Sequence, residues 1–342
     1  MKALALTGYG DVSNAAIVDV EPRDPGPGEV VVSVKAAALN HLDLWTLSGA
    51  VGRDHALPHT LGADGAGEIA RVGGDVRGIR PGDRVVVNPA ISCGRCEFCR
   101  AGEQSLCTTF KMLGEHLPGT IAHEVVVPAT NVYPLPDHLS FSQGAALGVT
   151  AITAYRMLFT RGRMTPGEWL LITGIGGGLA LSLLQLARPI AGKIFVTSSS
   201  TDKIVKALAL GADDGIDYSK EDVGKAIRSR TAKRGVDLVL DSAGGSAFDG
   251  ALRALRKGGR LVIAGATTGP RSDLDVRRLF WNQLEVIGST MGSDHDVSEM
   301  LRMVAGTKLE PVIDKTFALE EGREALAYLA GNERFGKVVI EI

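Results

Sequence analysis

The sequence predicts an α/β protein built from a barrel-like β unit and a doubly wound parallel sheet. Three textures along the chain carry that expectation. The first third is a series of short β-branched runs broken by Gly and Pro. The middle alternates apolar strands with helices. The end returns to mixed texture and closes on the strand-like Gly336 to Ile342.

In the first third the runs are Val30 to Val34, Glu68 to Val72, Arg84 to Val87 and Glu124 to Val127. Turns such as Pro25-Gly26-Pro27-Gly28 and Pro81-Gly82-Asp83 separate them. Met1 to Gly10 has one lysine, a short apolar stretch and no small-residue cleavage site, so it reads as a first strand rather than a signal peptide. The middle opens on the strand Trp169 to Thr173, then a helix over Leu179 to Ala187 that ends near Pro189. The alternation continues through strand Lys193 to Thr197, helix Asp202 to Leu210 and the segment Gly215 to Asp217. It ends with a helix near Asp222 to Thr231, strand Val236 to Asp241, a helix near Ser246 to Leu255 and strand Arg260 to Ala264. Such βαβ units imply a parallel sheet covered on both faces. The return of mixed texture splits the first domain, 1–128 with 290–342, around a second domain at 129–289.

Two domains suit 342 residues. With 37 basic against 39 acidic residues the net charge is −2, which argues against a nucleic-acid or acidic-membrane partner. No run approaches the ~20 apolar residues that span a bilayer. A cytoplasmic enzyme acting on a small molecule is the expectation.

All four cysteines fall between 93 and 107: Cys93, Cys96, Cys99 and Cys107, in a lobe over 91–110. A chain of this size has little need of disulfide staples. Four soft thiolates suit tetrahedral Zn²⁺, and a filled Cys₄ shell leaves no place for water or substrate, so one structural zinc is the reading. Its rivals are an iron–sulfur centre, which has the same donor atoms, four free thiols, and strained small-loop disulfides.

Strand Trp169 to Thr173 runs into Gly174-Ile-Gly176-Gly177-Gly178-Leu179-Ala180 and then a helix. Glycines let backbone amides approach a pyrophosphate, and the helix N-terminus adds its positive dipole end. A tight strand–helix connection would need glycine too, but the βαβ setting favours a dinucleotide. An NAD enzyme usually has an acid at the end of the next strand. Here that strand ends Thr197-Ser198-Ser199-Ser200-Thr201, with no acid before Asp202 and with Lys203 behind it. That pattern favours NADP(H) over NAD(H). Against it stand helix capping for Ser198 to Ser200 and a solvated face for Lys203. Ser242, Ala243 and Gly265 follow other parallel strands, at the carboxyl ends where such sheets bind ligands.

Several motifs together resemble the medium-chain dehydrogenase/reductase superfamily, the zinc alcohol dehydrogenase and quinone oxidoreductase group. They are Gly62-Ala-Asp64-Gly-Ala-Gly67, Pro81-Gly-Asp83-Arg-Val, the cysteine lobe, the Gly174 to Ala180 turn, Gly211-Ala-Asp213 and Gly336-Lys337-Val. The resemblance implies a GroES-like catalytic domain, a Rossmann domain, a cleft between them, and a homodimer or homotetramer. It places Gly174, Gly176, Gly177, Gly178, Leu179 and Lys337 at the cofactor, and Ser199, Lys203 and Tyr218 near a 2′-phosphate.

The departures bear on the reaction. Where zinc alcohol dehydrogenases carry a Cys, then Ser or Thr, then Asp, this chain has Asn40-His41-Leu42-Asp43. Where they carry Gly-His-Glu it has Gly62-Ala63-Asp64, and the third ligand falls near Val149. Asn40 and Asp43 match the Asn-x-x-Asp of zinc-free quinone reductases, with Trp45 in place of their Tyr. The expected reaction is zinc-independent, NADPH-dependent hydride transfer to an enone, enoyl or quinone. Two rival functions are a zinc-type alcohol dehydrogenase acting on alcohol or ketone, and a nucleotide-binding member without catalysis. Asn40 is expected to hydrogen-bond a substrate oxygen or to tie down its own turn. His41, His59 and His116 are candidate general acids or structural hydrogen-bonders. Asp43 is a candidate within the site, and Asp64 a supporting or structural acid.

Overall fold

The computed structural model describes all residues, 1–342. It divides into two compact units, Met1–Val149 with Gly292–Ile342, and Thr150–Met291.

In the first unit the strand Glu29–Ala38 is the central element. It pairs antiparallel with Asp64–Val72, Glu124–Pro128 and Lys337–Glu341, so the C-terminal strand closes the sheet begun by the N-terminal half. Val30, Val32 and Val34 pack with Ile69, Val85, Val87, Val125 and Val127 in one buried cluster. Further along, Ala36 and Ala38 present only methyl groups, and the helix Phe141–Ala145 lies there through Ala145 beside Ala66 and Val339. That contact is why residues 129–149, expected in the second domain, belong to the first unit. A smaller sheet joins Ala15–Asp19, Lys2–Leu6 and His59–Thr60.

A helix unforeseen in the sequence, His41–Ser48, follows Asn40 directly. Asp43 accepts the backbone N–H of Asn40 at 2.7 Å, satisfying an amide at the helix start, and Gly49 ends the helix at φ +76°.

The second unit is the expected doubly wound sheet. Its six parallel strands run in the order Asp214–Asp217, Lys193–Ser198, Trp169–Ile172, Val236–Asp241, Leu255–Ile263 and Glu285–Gly288. The sixth strand was not foreseen; it is short and largely exposed, so it lacks the apolar run that marked the others. Leu171, Val239 and Leu261 face Ile227, Leu252 and Phe248 from the covering helices. The register brings Ile172, Val196 and Leu240 level, so the turns after these strands leave from one edge of the sheet.

Candidate functional site

The turn after Trp169–Ile172 has the build of a phosphate cradle. Gly174 stands at φ +67° and Gly176 at φ +115°, conformations that favour glycine, and a methyl group on Gly174 would meet nothing within 4 Å. The N–H of Gly174 reaches Thr197 Oγ1 at 3.1 Å and that of Ile175 the Thr197 carbonyl at 2.8 Å, which fixes the loop against the next strand. Helix Gly178–Ala187 then starts with no side-chain cap. Its neighbours Thr201–Ala209, Val223–Arg230 and Val276–Trp281 are capped by Ser200, Asp222 and Asp275. The one helix at the glycine turn thus keeps its first amides for a ligand, as a dinucleotide site requires. Beside it, Asp241 accepts from Thr173 Oγ1 at 2.5 Å and from the N–H groups of Ala243 and Gly244 at 3.0 Å, which sets the loop that holds Ser242.

Past strand Lys193–Ser198, the hydroxyls divide their work. Ser200 caps the following helix through the Lys203 N–H, so the capping reading holds for Ser200. Ser199 and Tyr218 are exposed. Asp217, level with Ser198 in the sheet, is ion-paired to Lys220 at 2.7 Å, and its hydrogen bonds to Lys220 and Ser219 hold its carboxyl down to about 2.

The four cysteines come together as one cluster, with all four sulfurs within 4.8 Å of one another. The backbone N–H of Cys93 points at Cys107 Sγ (3.2 Å) and that of Cys96 at Cys93 Sγ (3.3 Å), the arrangement that supports thiolates. Four Zn–S bonds of ~2.3 Å require sulfur separations of roughly 3.8 Å; Cys93 and Cys99 are 3.9 Å apart. The lobe fits a structural zinc.

The residues at the three positions where the catalytic metal's ligands were sought do something else. Asn40, Asp43, Asp64 and Lys337 are all buried. The Lys337 ammonium donates to Asn40 Oδ1 (2.7 Å), Asp64 Oδ2 (2.9 Å) and the Leu39 carbonyl (2.9 Å), which uses all three of its protons. Asn40 Nδ2 donates to Asp64 Oδ2 at 2.9 Å and faces the Ala38 carbonyl at 3.4 Å. Asp64 Oδ1 accepts the Val149 N–H at 2.6 Å, an approach open only because residue 148 is glycine: a Cβ there would lie 2.1 Å from that oxygen. Asp43 accepts the N–H groups of Asn40 and Gly62, and burial pushes its carboxyl up to about 6. Ala63 offers a methyl group and Val149 a donor, so the cation among these residues is the lysine ammonium.

Three expectations are corrected here. Asn40, expected at a substrate oxygen or tying down its own turn, has both ends of its amide engaged within the protein. Asp43 is a structural acceptor at a helix start. Lys337, expected at the cofactor, is instead the buried counter-ion of Asp64, with all three of its protons taken. No local signal marks this role, since Lys337 is 273 residues from Asp64 and 297 from Asn40.

The histidines do not form one group. His41 is partly buried, its Nδ1 3.4 Å from Arg334 Nη2 and its ring edge-on to Trp45. Burial and the Arg334 charge lower its pKa, so the ring is neutral, with Nδ1 as acceptor and the proton on Nε2. His116 is exposed and accepts the Met112 N–H through Nδ1 at 3.2 Å. His59 is buried, its ring tilted at 45° against His55 with centroids 4.5 Å apart; burial pushes it down to about 4, which argues against its role as a general acid. His55 lies in no motif that would single it out in the sequence.

Residues 26–137 match the family described as alcohol dehydrogenase GroES-like domain, and residues 178–306 that described as zinc-binding dehydrogenase. An NAD-dependent alcohol dehydrogenase of Sulfolobus acidocaldarius is 31% identical over the full length of both chains. The chain belongs to the medium-chain dehydrogenase/reductase superfamily. It is an NAD(P)-dependent oxidoreductase with a GroES-like domain and a Rossmann domain. A crystal structure of an NAD-dependent alcohol dehydrogenase is 40% identical with a TM-score of 0.96, each chain covered in full. The crotonyl-CoA carboxylase/reductase AntE V350A in complex with NADP is 26% identical, covering 100% of this chain and 94% of that one, with a TM-score of 0.91.

Removing one partner of a buried ion pair leaves an uncompensated charge, which costs about 3–5 kcal/mol. Lys337→Met is therefore expected to destabilise the protein by that amount in urea unfolding. Lys337→Met combined with Asp64→Asn is expected to recover most of the loss. A single-variant loss below about 1 kcal/mol, the size seen for exposed pairs, would contradict the assignment.

Proposed function

We propose that this oxidoreductase is an NADPH-dependent reductase of activated carbon–carbon double bonds or quinones that uses no catalytic zinc. The observation that carries the reading is the Lys337 ammonium bound among Asn40, Asp64 and Leu39, with Ala63 and Val149 contributing no ligand atom. Reduction of a plain ketone puts charge on one oxygen, which the zinc enzymes meet with a Lewis acid. Addition to a conjugated C=C spreads that charge into an enolate that hydrogen bonds can stabilise. When bound, the reduced nicotinamide supplies a hydride to the far carbon of the conjugated system. With Asn40 engaged, His41 and His116 are the candidates with a ring N–H left for the oxygen, and water can return the proton to the near carbon. The NADP-bound neighbour named for crotonyl-CoA, an α,β-unsaturated thioester, supports the same chemistry.

NADPH is favoured over NADH by the exposed Ser199 and Tyr218, by Lys203 behind them, and by the absence of an acid at the end of strand Lys193–Ser198. Charge supports it too. Residues 150–291 hold 20 Lys and Arg against 13 Asp and Glu, net +7, while the other unit holds 17 against 26, net −9; together these give the chain's −2. A basic nucleotide unit attracts a polyanion. The names of the NAD-dependent relatives favour the competing reading, NAD-linked alcohol oxidation. The cysteine lobe is read as holding one structural Zn²⁺.

A homodimer is proposed through the second unit's open edge. Strand Glu285–Gly288 pairs on one side only, and Val276, Phe280 and Trp281 beside it are 62%, 64% and 73% exposed. An edge strand can pair with its own copy about a two-fold axis, which satisfies its backbone and covers such aromatics.

Chelator-treated enzyme that retains its cysteine-bound zinc is expected to oxidise NADPH with enones or quinones at an unchanged rate, and to bind NADPH at least tenfold tighter than NADH. Turnover confined to simple alcohols with NAD, and abolished by chelator, would overturn the reading. Separately, Trp281→Glu is expected to shift the native mass from dimer to monomer; a wild-type monomer, or a dimer indifferent to the change, rejects the interface.

A further inference from the structure

A second polar constellation lies in the first unit, around a pocket whose lining does not include the buried ammonium. This pocket of about 940 Å³ is lined largely by apolar side chains, among them Val51, Pro58, Leu113 and Val125, and also by His55 and His59. His59 is only 7% exposed. Its Nε2 faces the Gly114 carbonyl at 3.3 Å, and a carbonyl can only accept, so the ring proton sits on Nε2. Nδ1 is then a bare lone pair without a protein partner, on a side chain that lines the pocket.

The ring is held in this state from behind. His55 packs against it at 4.5 Å and is itself anchored at both nitrogens: Nδ1 to Tyr9 Oη at 2.8 Å and Nε2 to the Glu115 carbonyl at 2.5 Å. The His55 backbone N–H also donates to Tyr9 Oη at 3.0 Å, so that hydroxyl's own proton turns to His55 Nδ1. Three chain segments thus fix an imidazole whose free acceptor opens on a pocket with apolar walls and a charged rim. An acceptor that no protein group uses, on a side chain lining a concave and largely apolar pocket, is a place for a ligand's donor.

The charged groups around the rim narrow the ligand. Arg23 is taken by Glu29 at 3.0 Å and Glu124 by Arg71 at 2.8 Å. Glu21, Asp54 and Glu115 then stand against Lys111 and the Met1 ammonium, with His116 beside Glu115, a balance that does not favour an anion. Burial raises the Glu115 carboxyl, whose oxygen lies 3.7 Å from His116 Nδ1.

We propose that this pocket binds a neutral, mostly apolar molecule that presents one hydrogen-bond donor, a hydroxyl or a secondary amide N–H, to His59 Nδ1. The inference rests on the first unit alone; because His116, a candidate in the reaction proposed above, also lines the pocket, its test reads binding without any nicotinamide, so that it stands or falls apart from turnover.

The probes are benzyl alcohol, benzyl methyl ether and benzoate, which share a ring and differ in donor and charge. Zinc-loaded protein labelled with ¹⁵N at histidine is titrated with each. Benzyl alcohol is expected to bind about five- to tenfold more tightly than the ether, the effect of one hydrogen bond, and to move the unprotonated Nδ1 resonance of His59. Benzoate is expected to bind most weakly. His59→Phe keeps a ring and removes the acceptor, and should bring alcohol and ether to equal affinity. His59→Asn places an amide oxygen near Nδ1 and should restore part of the preference. Equal affinities in the wild-type protein, a preference that survives His59→Phe, or tightest binding of benzoate would each overturn the proposal. Unchanged circular dichroism and zinc content in both variants show that the fold is intact.

Discussion

An ammonium and a carboxylate buried side by side cost several kcal/mol each in lost hydration, and the contact persists only when the remaining protons and lone pairs are also satisfied. Lys337 and Asp64 meet that condition. The lysine's three protons have three acceptors, and the carboxylate receives Lys337, Asn40 and the Val149 amide. These partners come from the end of strand Glu29–Ala38, the start of Asp64–Val72, the segment after helix Phe141–Ala145 and the start of the last strand. One ionic contact therefore joins four segments, and the small residues around it follow from it. Gly148 admits the Val149 amide to the carboxylate, and Ala36, Ala38 and Ala66 let the helix Phe141–Ala145 lie close.

The same contact bears on the chemistry. A site that holds its own cation, with every donor directed inward, has little to offer a metal or an alkoxide. The two sites suited to external groups are built on the opposite principle. The glycine turn leaves its helix amides uncapped, while the helices Thr201–Ala209, Val223–Arg230 and Val276–Trp281 are capped by side chains. The cysteine lobe brings four sulfurs together with backbone amides aimed at two of them. Groups left unsatisfied mark where ligands belong, and groups fully satisfied mark where they do not.

The fold was legible because its signals are local. The apolar strand Val236–Asp241 has the bounds its sequence pattern implies, and the glycine turn and cysteine spacing carry their chemistry within a few residues. Helix His41–Ser48 escaped notice because its apolar residues lack a clear face, and strand Glu285–Gly288 because an exposed edge has no apolar run. The site was legible only in part. The absence of metal ligands at 40, 63 and 149 could be read from the sequence. What replaced them could not, because Lys337 meets Asn40 and Asp64 through the closing of the sheet by its last strand. Asn40 looked like a substrate contact because its type suited one; its actual partners are set by tertiary structure alone. His55 and His59 likewise acquire their meaning from their tilted ring contact and from the Gly114 and Glu115 carbonyls, which no spacing announces.

Asn40, Asp64 and the Leu39 carbonyl hold the Lys337 ammonium as their cation, and Ala63 and Val149 add no ligand atom. The most direct test is the zinc content of the purified protein by elemental analysis, in the wild type and in Cys107→Ser. The account predicts about one zinc per chain, held by the cysteines alone, and its loss in the variant. Two zincs per chain, or one that survives loss of the cysteine site, would contradict it.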